Sequence, residues 1–142
     1  MSTETMTERV EPLPSLTAPT TRVFLLLGFV VWLAATVAFR LAGQYVLDPA
    51  APVVVGGLFV AVVPAMIGLA LALYRWQGVT GATRLQAAVA LVLPGMVLDS
   101  LAVAWFGTVF PNMVPGAAKY FGGMLLLAYA SVLLSGVVPR RR

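Results

Sequence analysis

The sequence contains no cysteine and no histidine. The first absence excludes disulfides, thiolate metal sites and cysteine nucleophiles. The second excludes an imidazole base, proton shuttle or metal ligand. Charge is scarce as well. Only 10% of the 142 residues are charged, where soluble domains carry about a quarter. Three of the five carboxylates, Glu4, Glu8 and Glu11, lie at the very start, which leaves Asp48 and Asp99. Asp48 precedes Pro49, where turn initiation accounts for it. No carboxylate pair and no complete catalytic constellation can be assembled from this set. The glycines at Gly56-Gly57, Gly78 and Gly122-Gly123 follow no phosphate-loop or dinucleotide pattern. The expectation is a protein that is not an enzyme and has no cofactor and no metal.

What is present is apolar. Hydrophobic residues make up 61% of the chain and the mean hydropathy is +0.97. The net charge of +4 and pI near 10.1 do not point to nucleic acid. The basic residues are scattered between apolar runs, and the single cluster is Arg140-Arg141-Arg142.

A helix needs about 20 apolar residues to cross the hydrocarbon core. Four stretches qualify, at about 23–46, 52–74, 85–106 and 118–138. They are apolar all round rather than alternating, which argues against a barrel. Pro64 and Pro94 fall inside the second and third, where kinks rather than breaks are expected. The fold class expected is all-α: a polytopic membrane protein with four transmembrane helices in an up-down bundle. Residues 22–142 form this single domain, and 1–21, rich in Thr, Glu, Ser and Pro, form a flexible cytoplasmic tail. Short connections favour packing between successive helices.

Lys and Arg set the orientation. One side holds Arg9, Arg22, Arg75, Arg84 and the terminal three arginines; the other holds Arg40 and Lys119. Both termini are therefore expected in the cytoplasm. Tyr45, Tyr74, Trp76, Trp105 and Tyr120 near the span ends read as an aromatic belt.

Asp99 interrupts the third run, in PGMVLDSLAVAWF. It falls roughly 5 Å past the midplane at 1.5 Å per residue. An unpartnered carboxylate there costs about 2.5–3.5 kcal/mol on insertion scales. Arg40 is the expected partner. Thr36, Arg40 and Gln44 form one polar row on the first helix, continued inward by Trp32. On the third helix Ala88, Val92, Gly95, Asp99 and Ala102 share a face, mostly small, which permits close helix approach. The candidate polar site is thus Asp99, Arg40, Gln44, Thr36 and Ser100. The pair is either a clasp that fixes helix register or a functional carboxylate. Small residues also recur at Ala34, Ala38 and Ala42, at Gly57, Ala61 and Ala65, and at Ala128, Ser131 and Ser135. Such seams serve packing within one chain, a homodimer or another membrane partner. The lipid bilayer is the one partner that composition alone requires.

The stretch LDSLAVAWFGTVFPNMVPGAAKYFGGMLLLAYASVLLSG resembles a family of small prokaryotic four-helix membrane proteins, the domain-of-unknown-function family fifty-three sixty-seven. Leu98-Asp99, the outer-loop motif Phe110-Pro111-Asn112, and the helix after Phe121-Gly122 with Tyr129 inside it carry the resemblance. Gly123-Met124 departs from it, because a bulkier aromatic residue is expected there. The resemblance implies four helices in a prokaryotic cytoplasmic membrane and assigns no activity. The reading favoured is a non-enzymatic structural or accessory membrane protein with an Asp99–Arg40 pair. The competing one is a small proton-coupled transporter or permease using Asp99.

Overall fold

The computed structural model describes residues 11–138. Helix α1 spans Ala18–Val46, α2 Pro52–Trp76 and α3 Thr83–Ala104. A short α4, Phe106–Val109, and a 3-10 turn, Pro115–Ala117, lead into α5, Ala118–Val137. The described residues contain no strand. Four helices are long and apolar enough to cross a membrane, so the four-span fold class holds. Helices α2 and α3 run through Pro64 and Pro94 without a break.

The boundaries differ from expectation by one to five residues at several ends, and two of the differences have a local cause. Helix α1 begins five residues early, because Thr17 accepts a hydrogen bond from the Thr20 amide and caps it, with Pro19 in its first turn. The third span stops at Ala104, and Trp105 leaves helical geometry. The break turns Phe106 and Phe110 inward, where both rings pack against Phe121. In the proposed tail, residues 1–10 lie outside the described residues, as does the arginine cluster. The part nearest α1 is tied down: the Leu16 amide donates to Gln86 Oε1, and Gln86 Nε2 donates to the Pro14 carbonyl.

Successive helices are not the packed pairs. Helix α1 packs on α3, α3 on α5 and α5 on α2, while α1 barely touches α2 and α2 barely touches α3. Sequence explains the choice. Gly28 of α1 lies so close to α3 that an added Cβ would sit 2.1 Å from the Leu91 carbonyl oxygen. Gly136 of α5 lies similarly close to Leu85 and Ala88 of α3. The small residues that let backbones meet are on these faces. By contrast Ala34, Ala38, Ala42, Gly57, Ala61 and Ala65 are all exposed, so the first two seams join nothing within the chain. The third is used: Ala128, Ser131 and Ser135 are buried.

Helix α3 is the centre. In its most apolar window 44% of residues are buried, against 11% in α1 and in α2. The large side chains that α1 exposes, among them Leu26, Val30, Leu33, Val37 and Leu41, form the surface a bilayer would solvate. Two clusters fill the interior. One surrounds Phe24, Tyr74, Ala87, Leu91 and Val132; the other surrounds Phe106, Phe110, Met113, Phe121 and Met124. Tyr74 is fully buried and its hydroxyl lies 3.0 Å from Ser135 Oγ, so it belongs to the core and not to an aromatic belt.

Candidate functional site

Asp99 is 5% exposed, on the face of α3 that also buries Ala88, Val92, Gly95 and Ala102. Its carboxylate accepts two hydrogen bonds. Trp32 Nε1 of α1 donates to Oδ1 at 2.9 Å, and the Tyr129 hydroxyl of α5 donates to Oδ2. One side chain thereby joins the three helices that pack on one another. Gly95, one turn below Asp99, makes this possible. A Cβ there would lie 2.6 Å from the Tyr129 hydroxyl oxygen.

The expected Asp99–Arg40 pair is not formed. Trp32 lies beside Asp99, and Arg40 is eight residues further along α1, about 12 Å at 1.5 Å per residue. Its guanidinium instead donates to the Val109 carbonyl at 2.5 Å and to the Thr108 carbonyl at 3.5 Å. These carbonyls end α4 and have no helical partner of their own. Gln44 is drawn to the same loop. Its Oε1 accepts from Asn112 Nδ2, which also donates to the Phe39 carbonyl at 2.9 Å. Ser100 is exposed and bonds back to the Val97 carbonyl, away from Asp99. The Phe110-Pro111-Asn112 motif has a structural part: Phe110 is fully buried, Pro111 is exposed and Asn112 fastens the loop to α1.

Asp99 borders a cavity of about 280 Å³ lined by all four long helices. Helix α1 contributes Gly28 to Phe39, including Trp32 and Thr36; α2 contributes Leu58 to Leu69. Tyr129 and Met124 of α5 complete the wall. Because α1 and α2 scarcely touch, the cavity is a cleft between them. Ala35, Ala61 and Ala65 line it and are nonetheless exposed, which marks its mouth. Apart from Asp99, Thr36, Trp32 and Tyr129 the lining is apolar. Among the described residues no cluster of acids could hold a metal.

The partners of Asp99 that sequence reasoning missed were visible in one respect. Trp32 and Tyr129 lie in the middle of their spans, and a buried indole N–H or phenol requires an acceptor. Asp99 is the strongest acceptor at that depth.

Four membrane-length helices around one buried carboxylate define a small polytopic α-helical membrane protein. The chain belongs to the family of unknown function DUF5367, which matches residues 46–142. The match takes in Asp99 and Tyr129 but begins at the last residue of α1, after Trp32 and Arg40. No curated protein and no solved structure matches the chain.

Proposed function

We propose that the protein is a non-enzymatic structural or accessory component of a prokaryotic cytoplasmic membrane, with both termini in the cytoplasm. The observation that carries this reading is the junction at Asp99. Trp32, Asp99 and Tyr129 come from three helices, and both carboxylate oxygens are satisfied. Such a junction fixes register where apolar packing in lipid is permissive. The exposed row of small residues on α1 outside the cleft, Ala34, Ala38 and Ala42, supports contact with a second copy or another membrane protein. The absence of cysteine and histidine from the chain supports a non-enzymatic role. The test is reversible unfolding in mixed micelles. Trp32→Phe and Tyr129→Phe should each destabilise by about 1.5–3 kcal/mol, the range for hydrogen bonds to a charged group. Unchanged stability in both would remove the clasp.

A second reading is a small proton-coupled carrier. The cleft favours it, because it leaves Asp99 beside open space rather than sealed in the core. Proton flux into liposomes, lost in Asp99→Asn, would support the carrier.

A further inference from the structure

The geometry points to the cleft between α1 and α2 as a binding site for a small organic cation with an apolar body, with Asp99 as its counter-charge. The inference goes beyond the clasp and holds whether or not the occupant crosses the membrane.

Three observations meet at the site. First, both donors to Asp99 are uncharged, an indole and a phenol. Among the described residues no lysine or arginine bonds to Asp99, and Arg40 is committed to Thr108 and Val109. A carboxylate in lipid held by dipoles alone, with no counter-charge, attracts a cation. Second, Trp32 and Tyr129, which hold the carboxylate, also line the cleft. Aromatic rings next to an acid are the surroundings that attract an organic ammonium. Third, the remaining wall is apolar, and the volume of about 280 Å³ is near the lower end of small-molecule pockets. That suits a compact ligand. The mouth, at Ala35, Ala61 and Ala65, lies between two helices whose other faces carry apolar side chains, so a ligand dissolved in the bilayer reaches it sideways. A lipid acyl chain would fit the walls but would make no use of the carboxylate.

The test uses the full chain in nanodiscs, in a Trp76→Phe, Trp105→Phe background. Both replaced tryptophans are exposed, and Trp32 is left as the reporter. The probes are benzyltrimethylammonium and neopentylbenzene, its uncharged carbon isostere. The expected result is a saturable change in Trp32 emission with the cation. Affinity should fall at least tenfold for the neutral isostere, in Asp99→Asn, and in Ala61→Phe, which fills the mouth without touching the junction. Equal binding of the two probes would overturn the proposal, since the cleft would then be an acyl or solvent pocket blind to charge. So would the lack of saturation, or binding that Ala61→Phe leaves intact. If Asp99→Asn fails to fold, the isostere and Ala61→Phe still decide, because both retain Asp99. A failed clasp would appear in the unfolding measurements and would leave these binding results standing.

Discussion

Gly95 and Tyr129 act as a matched pair. The missing side chain of one leaves the space through which the hydroxyl of the other reaches Asp99. Gly95→Ala should therefore displace the phenol and destabilise the fold by about 1–3 kcal/mol, as overpacking does. Combined with Tyr129→Phe it should cost less than the sum, because both remove the same bond. Gly28→Ala should be at least as damaging, since its obstacle is the Leu91 backbone and not a side chain that can turn away. Gly57→Ala, with nothing within 4 Å, is the control and should stay within about 0.5 kcal/mol. Unfolding of the three glycine variants, of Tyr129→Phe and of the Gly95→Ala/Tyr129→Phe double variant in one micelle system checks all of these. These differences were partly open to sequence reasoning. The small face of α3 around Gly95 and Asp99 could be read from helical spacing, but which partner used it could not. Spacing fixes the side of a helix and says nothing of which neighbour comes to that side.

At the scale of the elements, the loop between α4 and α5 shows how a polar residue can be right in kind and wrong in partner. Arg40, in an otherwise apolar helix, needs acceptors, and it finds the open carbonyls at the end of α4. The sequence did not display those acceptors, because the break at Trp105 that creates α4 goes with packing of Phe106 on Phe121, which is distant in the chain. Asn112 works alongside Arg40. In Asn112→Ala, amide hydrogen exchange at Phe110 and Met113, whose amides bond within this loop, should accelerate about fivefold, the effect of losing ~1 kcal/mol of hydrogen bonding. The junction at Asp99 should be unaffected, and Arg40→Gln should likewise leave Trp32 emission unchanged. The spans themselves were legible almost throughout, since length and hydropathy decide them. Their ends were less so, because caps and aromatic packing set those.

At the scale of the molecule, the helices stand in the order α1, α3, α5, α2, curled so that the two outer members flank a cleft. The short connections suggested successive neighbours, but loop length constrains only where a helix starts. Glycine contacts decide what it packs against. The orientation from the arginine count makes a direct prediction. The chain has no native cysteine, so single cysteines report cleanly. Thr80→Cys should react with an impermeant thiol reagent only from the cytoplasmic side, and Val114→Cys only from outside.

The same arrangement dictates something about how the protein is made. Helices α1 and α2 leave the ribosome first, yet neither is the other's partner. The helices that hold them, α3 and α5, are encoded in the second half of the chain. During synthesis the first hairpin must wait in the bilayer with its glycine at position 28, the indole of Trp32 and one wall of the cleft unmatched. Until α3 follows them out of the ribosome, α1 and α2 have no packed partner, and it is then that an insertion factor would find most to hold.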